Sequence, residues 1–237
     1  MVQEVQFQDL GVVEYGDAWK YQEELLTKNT NLKMQKAKGL AEGDTQHTLL
    51  FCEHPPVYTL GKSGKEEHVL ISKEELAKRN IGYYPTNRGG DITFHGPEQI
   101  VGYPILDLEK FKTDIGWYLR SLEEVIILTL ADYGLKGERS SGETGVWLDP
   151  DVKIKARKIC AMGVRCSRWV TMHGFALNVN TDLAYFNMIV PCGIPDKQVT
   201  SLEKELGKKV DINEVKRKLI SHFENVFGAK ITFQPVE

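Results

Sequence analysis

The chain has 237 residues, 41% of them hydrophobic and 27% charged, with a formal charge of −3. That composition suits a globular domain with a sizeable core, and the slight acidity argues against bulk nucleic-acid binding, which favours a clearly basic domain. The longest strongly apolar run, Val125 to Leu130, is far short of the roughly 18 residues a membrane span needs.

The first residues, Met1-Val2-Gln3-Glu4, form neither a basic n-region nor an apolar h-region. A cytoplasmic protein is expected. Cys52, Cys160, Cys166 and Cys192 are then expected as reduced thiols. No cysteine or histidine spacing resembles a zinc site.

Along the chain, Val5 to Phe7 reads as the start of a strand. Asp17 can cap a helix with Ala18, Tyr21, Leu25 and Leu32 on its apolar face. Thr48 to Glu53 reads as a buried strand, ended by Pro55 and Pro56. Ser72 and Glu75 have capping-box spacing for a helix through Lys78. Gly82 to Leu108 reads as strands broken by the loops Asn87-Arg88-Gly89-Gly90 and His95-Gly96-Pro97.

Asp114 can cap a long helix with Tyr118, Leu122, Val125, Ile126 and Leu130 inward, stopped by Gly134. Gly145 to Asn180 is a second strand-rich block, and Leu183 to Ile189 is irregular or a short helical turn. Thr200 to Leu206 reads as a helix. Asp211 and Glu214 open another, striped by Ile212, Val215, Leu219, Phe223 and Val226. Lys230 to Gln234 alternates like an edge strand. Helices and strands mix without a regular βαβ period, so the fold class is α+β.

Three segments look suited to chemistry. In Arg88-Gly89-Gly90-Asp91-Ile92-Thr93-Phe94-His95, paired glycines let backbone approach a ligand. Arg88 and His95 could orient a carbonyl or carboxylate there; a tight hairpin turn fits as well. In Arg157-Lys158-Ile159-Cys160, Lys158 stands where a strand begins. A lysine desolvated there can exchange protons near neutrality, and a solvated surface lysine is the plain alternative. In Pro191-Cys192-Gly193 the cysteine is held in a rigid bend, which suits an exposed thiol, though a buried structural cysteine is the commoner fate. Between the last two, His173-Gly174-Phe175-Ala176-Leu177-Asn178 reads as a strand with one face left open by small residues.

Together these segments resemble the lipoyl(octanoyl) transferases, of the biotin and lipoate protein ligase superfamily. The family pattern has an Arg-Gly-Gly loop ending in Thr-aromatic-His-Gly-Pro. It continues with Lys-Ile-Ala-x-x-Gly-Val-Arg, His-Gly-x-Ala-Leu-Asn and Pro-Cys-Gly. All four occur in that order between Arg88 and Ile194. The resemblance implies a mixed, largely antiparallel sheet flanked by helices and one catalytic domain over 1–237. Cys192 would be the acyl-thioester nucleophile, with Lys158 as the cation that lowers its pKa and as acid/base. Arg88, Gly89, Gly90, Asp91, Ile92, Thr93, Phe94 and His95 would line the substrate site. Ala161, Met162 and Gly163, and Gly174, Phe175 and Ala176, would join them.

The donor implied is octanoyl-acyl carrier protein. The acceptors are lipoyl domains of 2-oxoacid dehydrogenase complexes and the glycine cleavage H protein. No cofactor, metal, nucleic acid or membrane is implied. Two residues depart from the pattern: Cys160 stands where Ala is common, and Glu98 where Gly is expected.

An acyl thioester is already activated, so this transfer needs no ATP. Lys158 and Cys192 are 34 residues apart, and only the fold can bring them together. From Asp151 to Val170, six cations (Lys153, Lys155, Arg157, Lys158, Arg165 and Arg168) stand against Asp151 alone. Such a run could steer an acidic carrier protein, or could guard a strand edge. The rivals are an ATP-dependent lipoate or biotin ligase, which would not need Cys192, and a non-catalytic protein holding a lipoyl domain or acyl group. A thiol protease with His173 or His95 as base lacks any papain or caspase signature around Cys192.

Overall fold

The computed structural model describes residues 2–190 and 198–233. Strand β1 (Gln3–Val12) leads into helix α1 (Tyr15–Ala37). The helix starts ahead of Asp17, which lies in its first turn instead of capping it; an acid there still complements the helix dipole. Its buried stripe is Tyr15, Ala18, Gln22, Leu26 and Asn29, while Tyr21, Leu25 and Leu32 are only half-buried. Apolar periodicity misses this stripe because two of its members are polar and bonded. Gln22 Oε1 accepts the His173 N–H at 2.9 Å. Asn29 exchanges two hydrogen bonds with the Gln46 backbone.

Next come β2 (His47–Glu53), β3 (Val57–Leu60), α2 (Lys73–Lys78), β4 (Gly82–Pro85), β5 (Ile92–His95) and β6 (Gln99–Ile105). Helix α3 (Ile115–Ala131) precedes β7 (Val146–Leu148), β8 (Arg157–Ser167) and β9 (Val170–Asn178). A 3-10 turn, Leu183–Met188, follows. The described chain resumes at β10 (Gln198–Val199), then α4 (Leu202–Leu206), α5 (Ile212–Phe227) and β11 (Ala229–Phe233). Ser72, Asp114 and Asp211 cap α2, α3 and α5 with their side-chain oxygens, satisfying N–H groups that a helix start leaves unpaired.

The larger sheet runs β10-β8-β9-β6-β2-β1-β11, with β7 also on β8. Pairs β2–β6, β6–β9, β8–β9 and β7–β8 are antiparallel, while β1–β2, β1–β11 and β10–β8 are parallel. The smaller sheet runs β4-β3-β5. Helices α3 and α5 cover one face of the larger sheet, where Phe51, Ile100 and Leu177 meet Leu122, Ile126, Leu219 and Phe223. Each such side chain contributes about 1.5–3 kcal/mol by burial. Helix α1 covers the other face, over Leu50, Val101 and Met172. The smaller sheet packs on α2 and the 3-10 turn through Leu76, Phe94 and Phe186. No helix among the described residues is long and apolar enough to cross a membrane.

Candidate active site

The two sheets meet along a cavity whose empty space is about 860 Å³, open mouth included. The glycine loop and β5 bring Arg88, Gly90, Asp91, Ile92, Thr93 and His95 to its wall. Strand β8 brings Lys158, Ala161, Met162 and Gly163, and β9 brings Gly174, Phe175 and Ala176. Gly89 and Phe94 are not on the wall. The Gly89 N–H donates to Val164 O at 3.0 Å and docks the loop on β8. Phe94 stacks on Tyr185 in the core of the smaller sheet, ring centroids 4.6 Å apart. A Cβ on Gly163 would stand 2.6 Å from Gly89 O, so docking of the loop requires glycine at that position.

Arg88 is buried, and its guanidinium faces its own backbone. It donates to Thr59 O (2.6 Å), Asp91 O (2.8 Å) and Gly89 O (3.0 Å). These bonds give the loop its shape. Arg88 also donates to Thr59 Oγ1, and there a chain of buried hydrogen bonds begins. The Thr59 hydroxyl donates to His95 Nε2 at 3.4 Å. His95 Nδ1–H donates to Gln99 Oε1 at 2.9 Å. Gln99 Nε2 donates to Asn178 Oδ1 at 2.8 Å, and Asn178 Nδ2 to Thr200 O at 2.9 Å. The Thr200 N–H in turn donates to Lys158 O at 2.9 Å. The direction of donation is consistent from end to end, which assigns the His95 tautomer and both amide orientations. The chain crosses from the smaller sheet to the larger one and ends beside Lys158.

The histidines here are neutral. Burial, reinforced by nearby His54, drives His95 well below the usual histidine range. Burial takes His54 to about 4, and burial with nearby Arg88 and Arg165 takes His173 to about 3. His173 Nε2–H donates to Asn87 Oδ1 at 2.8 Å. Both nitrogens of His95 are bonded, whereas His173 Nδ1 is buried without a hydrogen-bond partner among the described residues.

Lys158 is the second residue of β8. It pairs with Trp147 of β7 on one side and Val199 of β10 on the other. The β7–β8 register slips there, from Val146 opposite Cys160 to Trp147 opposite Lys158. Ile159 and Cys160 consequently both lie in the core under α3 and α5, and Lys158 shares the cavity wall with Ala161. A bulge of this kind re-aims a side chain. The Lys158 ammonium stands 4.6 Å from the centroid of the Trp147 ring.

Cys192 lies outside the described residues. The chain on either side of it is placed: the Val190 N–H donates to His68 O at 2.8 Å, and Gln198–Val199 pairs with Arg157–Lys158. His68 Nδ1 is 2.7 Å from Asp91 Oδ2, so the chain approaching Cys192 and the glycine loop are joined at one point.

The cationic run after Asp151 does not make one basic face. Arg157 is held by Asp149 and Glu205, each at 2.6 Å, and Arg165 by Glu23 at 2.7 Å. Arg168 sits in the turn after β8, about 33 Å along an extended strand from Lys158. Of the two departures, Glu98 adopts φ +59°, a left-handed backbone that favours glycine, and its carboxylate contacts Lys209 Nζ at 2.9 Å. Cys160 is fully buried, and burial pushes its thiol up, away from ionisation. Sequence reading passed over Tyr15, Thr59, Gln99, Trp147 and Val199. Thr59 meets Arg88, 29 residues away, and Gln99 meets Asn178, 79 residues away, and no local pattern marks such pairs.

The lipoyl protein ligase A/B catalytic domain profile matches residues 14–224. The octanoyltransferase of Christiangramia forsetii is 57% identical over 235 residues, covering 99% of this chain and 100% of that protein. The octanoyltransferase of Flavobacterium johnsoniae is 58% identical over 232 residues, covering 98% and 100%. Among solved structures, lipoate-protein ligase A bound with ATP superposes with a TM-score of 0.69 at 16% identity, covering 100% of this chain and 90% of that one. The bipartite lipoate protein ligase of Thermoplasma acidophilum gives 0.69 at 16% identity, covering 100% and 88%; these two likenesses concern the fold.

Proposed function

The chain belongs to the family of lipoyl protein ligase A/B catalytic domains, and from that premise we propose that it is a single-domain octanoyltransferase working through a Cys192 thioester. The donor is octanoyl-acyl carrier protein. The acceptor is a lysine of a lipoyl domain, in 2-oxoacid dehydrogenase complexes or the glycine cleavage H protein. The observation that carries the reading is the position of Lys158 on the wall shared with the glycine loop, where β10 returns from the segment bearing Cys192.

A Lys158 ammonium beside the thiol favours the thiolate. The thiolate attacks the octanoyl carbonyl, the carbon–sulfur bond to the carrier breaks, and the carrier's sulfur takes a proton from Lys158. A neutral lysine amine of the acceptor then attacks the new thioester. Its surplus proton passes to the Lys158 amine, and the Cys192 sulfur leaves as thiolate. One amide forms, one thioester is consumed, and the starting ion pair returns without ATP.

Intact-mass measurement after mixing with an octanoyl thioester tests this. The expected result is an octanoyl adduct on the parent chain that vanishes in Cys192→Ala. ATP-dependent modification of a lipoyl domain that persists in Cys192→Ala would replace the transferase with a ligase.

A further inference from the structure

We infer that Trp147 is a positioning residue for the proposed reaction, holding the Lys158 ammonium at the cavity by the face of its indole ring. The inference rests on the role given to Lys158 above. The ammonium lies 4.6 Å from the ring centroid, within the roughly 6 Å over which an aromatic face attracts a cation. Trp147 is directly opposite Lys158 in the β7–β8 pairing, so the ring and the lysine stem leave the sheet together.

The ring itself is fixed. Trp147 is 1% exposed, and its backbone exchanges two hydrogen bonds with Glu138, at 2.8 and 2.9 Å. The strand enters through Gly145, whose N–H donates to Glu123 Oε1 at 3.0 Å. A Cβ on Gly145 would stand 2.5 Å from Cys160 O, so β7 lies tight against β8. Buried Glu123 is held by Arg120 at 2.6 Å and Arg139 at 3.0 Å. A lysine has a flexible four-carbon stem and a point charge. Fixed β7 supplies what the stem lacks, a set place for that charge before the thiolate reacts.

The test replaces Trp147 alone, by site-directed incorporation, with mono-, di- and trifluorotryptophan. Shape is nearly kept while the negative face of the ring is progressively removed. The readout is single-turnover octanoylation by a small-molecule octanoyl thioester, with thermal melting to confirm folding. The expected result is a graded fall in the acylation rate at saturating thioester, reaching about two- to thirtyfold across the series, with KM little changed. Trp147→Phe should keep part of the rate and Trp147→Leu less. A folded series with unchanged rates, alongside an inactive Lys158→Ala, would overturn this inference and leave the role of Lys158 standing. An active Lys158→Ala would remove both.

Discussion

The two faces of the larger sheet solve the burial problem differently. Under α3 and α5 the filling is apolar, with Phe223 and Phe227 stacked 4.4 Å apart and buried aliphatic residues around them. On the opposite face, near the cavity, buried Gln99, Asn178 and His173 meet buried Arg88, Thr59 and His95 of the glycine loop and the smaller sheet, most of them bonded to one another. An apolar core tolerates substitution so long as volume is kept. A buried polar chain does not, because removing one member leaves its neighbours unsatisfied. Stability therefore resides on both faces, but only the cavity side couples it to geometry at the site.

That contrast can be broken by experiment. Phe223→Ala should cost about 3–5 kcal/mol by creating a cavity. Denaturant titration would show the loss, while the rate per folded molecule should stay at the parental value. Gln99→Leu should cost about 3 kcal/mol, since it strands His95 Nδ1–H, Phe94 O and Asn178 Oδ1. It should also slow octanoyl transfer in the fraction that remains folded. A Gln99→Leu enzyme with parental kcat would show that the polar chain serves stability alone.

Acid should act through the buried histidines, beside the cavity at His54, His95 and His173 and away from it at His47, which burial takes to about 4. His54 and His173 are held neutral, at about 4 and about 3, whereas in the unfolded chain they titrate near about 6.5. Below that value the unfolded state binds protons that the folded state refuses, so the stability present above it is lost as pH falls. From pH 7 to 5.5 the two together should remove about 2.5 kcal/mol, and His95 acts in the same direction. Denaturant midpoints at the two pH values measure this, and equal midpoints would contradict the assignment of neutral buried histidines.

The smallest expected effect sharpens the comparison from the surface. Glu98 keeps a left-handed backbone beside the cavity wall and an exposed contact with Lys209. Such contacts contribute little. Glu98→Gly should therefore raise stability by about 0.5 kcal/mol as strain is relieved. A measurable loss would mean that the Asn180 Nδ2 bond to the Glu98 carboxylate, which the substitution removes, outweighs the strain relieved; the Asn180 N–H and the Thr181 hydroxyl donate to Glu98 O and keep their acceptor.

The sequence by itself determined the helices α2, α3 and α5 with their capping residues, the strand-rich blocks, and the four motifs. Each is written locally, in apolar spacing, a cap three residues from its partner, or a glycine pair. Most of the residues in the motifs that fall among the described residues lie on the cavity wall. Only the tertiary structure decided that Arg88 turns inward to shape its loop, and that Gly89 and Phe94 stand behind the wall. It also decided that a bulge at Ile159 turns Lys158 toward the cavity and places it over Trp147. Those outcomes depend on pairing between strands distant in sequence, and a one-residue slip in register changes which face a side chain meets. Apolar spacing records which residues avoid water; it holds no record of which buried polar groups will find each other.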